Sequence, residues 1–519
     1  MRLMTNVSLL LFIAFLVGCS AAPLQERTAF VSLPYTEIAE SKLFQSIETL
    51  SKENNQLSGV YPLESALNAF LARVLLVRAA EKTLDVQYYI WRKDNTGTML
   101  LYELLLAAER GVRVRLLLDD LGSYGMDDWL AMLNNHPNIE VRLFNPFSSR
   151  KTRVFDFVKN FNRANRRMHN KSFTADQAMT IVGGRNIGDE YFAASNGVLF
   201  SDLDVLTLGP AASAVSKDFD RYWMSQSAYP VEQLFKIKQK RAALLEQVSH
   251  VFNKPESLMY VMAFQNTYFT SEFNTKNLPF EWVNVRLVSD DPIKGIGLNK
   301  QSDLLLYRLD SLIESSINKL DLVSPYFVPA KVGTETFLKM AAAGAEIRIL
   351  TNALEATDVA AVHSGYIKRR KELLQAGIEL YEMKSRSGAF KKAAKEASKE
   401  SGSGSGVFGS SGSSLHAKTF AINNNKLFVG SFNFDPRSTR LNTELGFLID
   451  SPTLATELDE VFTERILQTA YQVKLDDKGK LYWIEQGEPE IIYHKEPGTS
   501  LFKRAQVRFL SWLPIDWLL

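Results

Sequence analysis

Two stretches of this chain carry the same chemistry at the same offsets. His169, Lys171, Asp176, Gly183 and Asn186 occupy the first; His416, Lys418, Asn423, Gly430 and Asn433 occupy the second. In each, the Gly lies 14 and the Asn 17 residues after the His. At background composition, Lys, Gly and Asn at three fixed offsets follow a given His about once in several thousand cases. Only six histidines occur, so two such sets imply a unit built twice.

The surrounding pattern repeats as well. An amphipathic helix over 62–82 precedes the apolar run 84–91, a helix over 96–110, the apolar run 112–118, a helix over 127–135 and the run 139–144. In the second half, 320–327, 345–351 and 378–381 echo the three runs, with helical stretches ending at Gly344 and Gln375 between them. Strand and helix in alternation predict an α/β fold with a largely parallel sheet in each half. The resulting organisation is a linker over 19–61, α/β units over 62–225 and 300–472, a connecting helical segment over 226–299, and a C-terminal extension over 473–519.

Hydrophobic residues make up 46% of the 519, enough for a large core. Formal net charge is only +2, so no global field argues for a nucleic-acid partner. The basic run 236–241 reads as the solvated face of a helix. Cys19 is the sole cysteine, which rules out an intramolecular disulfide and a Cys-rich zinc site. It follows the apolar run Val7–Val17, which is too short to span a bilayer comfortably and has the length of a signal-peptide core. Leu16-Val17-Gly18-Cys19 resembles a bacterial lipobox, which implies acylation of Cys19, removal of residues 1–18 and an anchor in the cell envelope. The Ser/Gly-rich stretch within 391–414 reads as a flexible loop just ahead of His416, a candidate lid. The C-terminal end mixes Lys503 and Arg504 with Phe502, Phe509, Trp512 and Trp517; this suits a membrane interface, and equally a helix docked on its own domain.

On a strand, His and Lys two residues apart project from one face and reach a common ligand. Each strand then turns at Asp176 or Asn423 and returns to the Gly, with Asn186 or Asn433 beside the histidine. Two ammonium groups, two amides and two imidazoles, with Ser431 as a further hydroxyl, would hold a phosphate diester and stabilise negative charge on phosphorus without a metal or other cofactor. Two imidazoles permit double displacement, one as nucleophile and the other as general acid and then base. A carboxylate beside each ring would fix its tautomer, and Asp202 and Glu444 lie at comparable places after the motifs, with Glu190 and Asp204 as weaker candidates. His136, His250, His363 and His494 lack a paired motif and read as structural.

The doubled H-x-K-x4-D-x6-G-[GS]-x-N pattern resembles the phospholipase D superfamily over about 62–472. Arg166–Phe173, Val182–Phe192 and Gly430–Ser438 are similar to bacterial cardiolipin synthases of the C type. The resemblance implies two phospholipase D-like domains about a pseudo-twofold with one shared active site. It also implies transfer of a phosphatidyl group from a donor such as phosphatidylethanolamine to phosphatidylglycerol, with His169 as nucleophile, His416 as acid/base and Lys171, Asp176, Lys418 and Asn423 completing the catalytic set. Hydrolysis of phospholipid, a nuclease, and a catalytically silent lipid-binding lipoprotein are the competing readings. Two positions depart from the pattern: Asn423 replaces the motif Asp, and Gly184 replaces the Ser kept as Ser431.

Overall fold

Each apolar run is flanked by a helix long enough to cover one face of a sheet, and the computed structural model shows two mixed sheets assembled in this way. It describes residues 27–519 except 30, 149, 151–152, 193–201, 237, 239, 276, 314–315, 358 and 386–414. Cys19, the signal segment and the candidate lid lie outside the described residues.

The first sheet has nine strands, in the order Ala228–Pro230, Ile139–Phe144, Arg113–Gly122, Thr83–Ile90, Ser172–Ala175, Met179–Gly183, Asp204–Leu208, Ser58–Leu63 and Glu281–Val283. The second has ten: Val285–Ser289, Leu445–Ile449, Lys426–Gly430, Thr419–Ile422, Lys319–Val323, Glu346–Asn352, Glu379–Met383, Ala470–Leu475, Leu481–Glu485 and Ile491–Tyr493. Reading the second from Ala470–Leu475 back to Val285–Ser289 reproduces the first from Ala228–Pro230 to Ser58–Leu63, strand for strand. The duplication is therefore complete in topology. A buried ion pair repeats too: Arg115 to Asp85 at 2.7 Å and Arg348 to Asp321 at 2.6 Å, each between directly paired parallel strands. Removing one partner of such a pair costs about 3–5 kcal/mol.

Parallel pairing is limited to the three strands joined by helical crossovers in each half. The rest of each sheet is antiparallel, because the motif strands are joined by tight turns rather than by helices. Domain limits also shift. The first unit starts at the strand Ser58–Leu63, which pairs with Asp204–Leu208, so the helix proper covers only Ala66–Ala79. The predicted linker itself holds a helix, Lys42–Glu53. The connecting segment carries helices Arg241–Phe252, Pro255–Asn266 and Tyr268–Thr275, but it also supplies strands to both sheets: Glu281–Val283 closes the first, and Val285–Ser289 opens the second. The helix Arg241–Phe252 takes in only the last residue of the basic run 236–241. The C-terminal extension adds two antiparallel strands to the second sheet and ends in the helix Leu501–Trp512.

Apolar residues from both sheets, among them Val182, Val205, Leu427, Val429, Leu445 and Phe447, form one buried cluster that joins the units. The histidine-bearing ends, just ahead of Ser172–Ala175 and Thr419–Ile422, meet beside it.

Candidate active site

His169 and Lys171 sit just ahead of the strand Ser172–Ala175, and His416 and Lys418 just ahead of Thr419–Ile422, in extended chain rather than within the ladder as predicted. The first of these segments crosses to the other half: His169 N donates to Thr443 O at 2.9 Å, and Met168 bridges to Thr443. Each lysine turns its ammonium back to the carbonyl of its own histidine, Lys171 to His169 O at 2.5 Å and Lys418 to His416 O at 2.5 Å.

The carboxylates are exchanged between halves. Nδ1 of His169 lies 2.8 Å from Glu444 Oε2, and Nδ1 of His416 lies 2.5 Å from Asp202 Oδ2. His169 Nδ1 also lies 3.1 Å from the carbonyl of Ser431, which only accepts, so Nδ1 carries the proton and Nε2 keeps its lone pair. Burial lowers the pKa of His169 well below its ordinary value, and the charges of Lys171, Lys418 and His416 add to the effect. Burial and the charge of Lys418 lower His416 to about 4. The lysine of each motif thus acts on the ring of the other: one electrostatic site, not two. Burial also lowers Lys171 to about 7.

The two supporting carboxylates differ. Burial pushes Asp202 up, but the charge and hydrogen bond of His416 prevail and hold it near 2. Glu444, buried and with Oε1 lacking a hydrogen-bond partner, is pushed up to about 7.

Asn186 is pinned through Oδ1, which accepts from Ile90 N at 3.1 Å. Asn433 Oδ1 is buried without a hydrogen-bond partner. Three predicted members have other duties. Ser431 Oγ donates to Glu444 Oε2 at 2.5 Å and accepts from Leu445 N at 3.0 Å, so it orients the carboxylate and is not turned to a phosphate. Asp176 lies at the far end of its hairpin, where its carboxylate accepts from Ser41 Oγ and from the backbone N–H groups of Glu81, Lys82 and Thr83 at 2.6–2.9 Å. Asn423 does the same in the second half, accepting from Asn318 N and Lys319 N and donating to Ser316 O. Both sit in turns with positive φ, near 50°, which Asp and Asn tolerate. They anchor turns, at the opposite end of each hairpin from the histidine. Asp204 is bound up with Arg73 and Arg185, and Glu190 pairs with Arg92, so neither orients a ring. His136 caps a turn, and His363 is buried beside Glu496.

Gly184 has a physical reason. A Cβ there would fall 2.1 Å from Asp202 Oδ1, so the missing side chain makes room for the carboxylate that serves His416. In the second half, Ser431 is accommodated because the longer Glu444 hydrogen-bonds it.

Comparison with known proteins agrees with this arrangement. The family described as "Cardiolipin synthase, PLD-like domain" matches residues 75–223 and 309–466. The chain belongs to that family. Cardiolipin synthase C of Escherichia coli (strain K12) is 46% identical over 483 residues, covering 92% of this chain and 100% of the relative. An uncharacterized protein of Helicobacter pylori (strain ATCC 700392 / 26695) is 33% identical over 475 residues, 89% of this chain and 90% of that one. The crystal structure of phosphatidylserine synthase from Haemophilus influenzae Rd KW20 shares the fold, with a TM-score of 0.55 at 16% identity over 91% of this chain and 100% of the other.

Within this cardiolipin synthase, PLD-like frame, several further residues support the rings and their carboxylates. Asp290 accepts from Glu444 N at 2.8 Å and from Lys294 Nζ at 2.8 Å, while its own N–H donates to Glu444 O. It thereby fixes the backbone that presents Glu444. Arg185 donates to the carbonyl of Asp202 at 2.6 Å and supports the other carboxylate. Tyr89 packs edge-on against His169 at 5.0 Å, and Tyr191 against His416 at 5.3 Å. Asp290 and Lys294 come from the connecting segment, where no internal repeat marks them. Arg185 lies inside the motif but at an offset where the second half has Phe432.

Proposed function

We propose that this protein is a phosphatidyltransferase that makes cardiolipin, taking a phosphatidyl group from a donor phospholipid, phosphatidylethanolamine, and passing it to phosphatidylglycerol. The exchanged pairs His169–Glu444 and His416–Asp202 carry this reading, because each ring is held at Nδ1 by a carboxylate of the other half, which leaves both Nε2 atoms for the chemistry beside Lys171 and Lys418.

His169 Nε2 attacks the donor phosphorus; the bond from phosphorus to the headgroup oxygen breaks, and His416 Nε2 gives that oxygen its proton. A phosphatidyl–histidine remains. His416 then takes the proton of a phosphatidylglycerol hydroxyl, whose oxygen attacks phosphorus and breaks the phosphorus–nitrogen bond. Lys171, Lys418 and the side-chain amides of Asn186 and Asn433 hold the phosphoryl oxygens as charge builds. The carboxylates support this order. Ionised Asp202 favours the imidazolium that His416 must form to give up a proton, and so opposes the lowering by burial and Lys418, whereas Glu444, pushed up to about 7, gives His169 less of that support and leaves it a neutral nucleophile. Acylated Cys19 anchors the protein at the bacterial envelope, within reach of its lipids.

The test is incubation of purified protein with labelled phosphatidylglycerol and phosphatidylethanolamine. Cardiolipin with loss of label from the donor is expected. Phosphatidic acid alone indicates hydrolysis, and no product indicates a silent protein. A donor with an activated leaving group should trap label on His169 in His416→Ala and on no residue in His169→Ala.

A further inference from the structure

The C-terminal helix Leu501–Trp512 is turned inside out relative to an ordinary surface helix. Val507 alone among its residues is buried. Phe502, Ala505, Phe509 and Trp512 recur at helical spacing on the opposite face; Phe502 is 79% exposed, Phe509 59% and Trp512 75%, with Leu501 beside them at 78%. The helix carries Lys503, Arg504 and Arg508 and no acidic residue. It is also firmly held. Ser500 caps its N-terminus by accepting from Lys503 N at 3.1 Å, and Lys368 ties the following turn through Leu513 O and Asp516.

The segment that follows this helix adjoins the candidate active site. Half-exposed Trp517 lies edge-on to Phe161 at 6.3 Å, in the short helix just ahead of Arg166–His169. The terminal Leu519 accepts at its carbonyl from Arg437 N at 2.7 Å, in the helix Pro436–Arg440 that follows Asn433.

We infer that Leu501, Phe502, Phe509, Trp512 and Trp517 form a docking surface for an anionic lipid bilayer that seats the active-site mouth against its substrate lipids. This deepens the phosphatidyltransferase reading and rests on it for the nature of the substrate. An apolar aromatic face edged by exposed Arg508, on a helix without an acidic residue, matches an interface whose headgroups are anionic and whose outer acyl region is apolar. The face is a convex helix rather than a groove, which fits a fluid surface better than a folded partner. Its length permits lying on a bilayer, and no helix among the described residues is long and apolar enough to cross one.

Binding can be read without turnover. Cys19 is the only cysteine, so the full chain with Cys19→Ser and Phe509→Cys takes a single environment-sensitive fluorophore on this face, and Cys19→Ser with Tyr35→Cys reports from another exposed site. With vesicles of phosphatidylcholine containing phosphatidylglycerol, the label at 509 should shift to the blue and be shielded from an aqueous quencher, and the label at 35 should not. The shift should weaken about tenfold or more in vesicle titre on pure phosphatidylcholine, because each cation near an anionic surface contributes about 1 kcal/mol. No shift on either vesicle, or one that depends on protein concentration without vesicles and so reports self-association, overturns the proposal. The full chain bearing Phe502→Ser, Phe509→Ser and Trp512→Ser should lose cardiolipin formation on vesicles and keep it on detergent-dispersed lipid. Equal loss on both overturns the docking role. Docking without any product removes the enzymatic reading and leaves the surface standing.

Discussion

His416 takes its carboxylate from the other half of the chain, with Nδ1 2.5 Å from Asp202 Oδ2, and Glu444 returns the arrangement at His169. Neither duplicated unit holds a finished imidazole–carboxylate pair of its own. The interface between the units is therefore part of the chemistry, and whatever separates them disarms both rings together.

Asp202→Asn replaces an acceptor with an amide that donates to Nδ1 and drives the ring proton to Nε2. The expected loss is about 10²–10⁴-fold in kcat, at near-constant KM. It should be large for a natural headgroup, which needs a proton to depart, and small for an activated leaving group, which does not. An equal loss with both substrates would take His416 out of the acid's role.

Gly184→Ala tests the room made for that carboxylate. The new Cβ displaces Asp202 Oδ1, which accepts from Leu203 N at 2.9 Å, and swings Oδ2 away from His416. We expect kcat to fall by about tenfold or more, equivalent to at least about 1.4 kcal/mol of barrier, with a folded protein by circular dichroism. Unchanged kcat would mean that Asp202 relaxes without losing the ring.

Asn423→Asp restores the family residue, yet the side chain anchors a turn outside the site. Its only change is loss of the bond to Ser316 O, so the rate should stay within about twofold and stability fall by about 1 kcal/mol in urea unfolding. Asp176→Ala removes an acceptor of four hydrogen bonds and should cost about 2–4 kcal/mol. A tenfold rise in rate for Asn423→Asp would place that residue back in the chemistry.

The sequence revealed the histidines, lysines and asparagines because the unit occurs twice, and repetition makes fixed offsets visible. It also revealed that Asp202 and Glu444 belong near the rings, but not which ring each serves, since that exchange is a property of how two folded units face one another. Asp176 and Asn423 are hidden for a related reason: they share the motif's spacing, but the turn carries them to the far end of a hairpin from His169 and His416, and spacing alone does not tell a turn anchor from a catalytic group. The strand Ser58–Leu63 escaped notice because Gly59 and Pro62 both disfavour a strand, and only pairing on both of its edges fixes it. Asp290 had no chance of detection, because its meaning lies in a hydrogen bond to a residue in a distant part of the chain.

The pH dependence should follow Lys171. Burial lowers its ammonium to about 7, so the charge that holds the phosphoryl oxygens is present below that value and is lost as the pH rises through it. Activity should therefore decline on an alkaline limb beginning near neutrality, more than two units below the ordinary range of a lysine. Lys171→Arg keeps a cation at every accessible pH; it should lower the maximal rate, because the fork does not fit the ammonium's place against His169 O, and it should also carry the limb upward by more than one unit. Measured kcat/KM profiles of the two proteins decide the matter: a limb that stays in place in the arginine variant belongs to another group, and the ammonium of Lys171 then has its charge throughout.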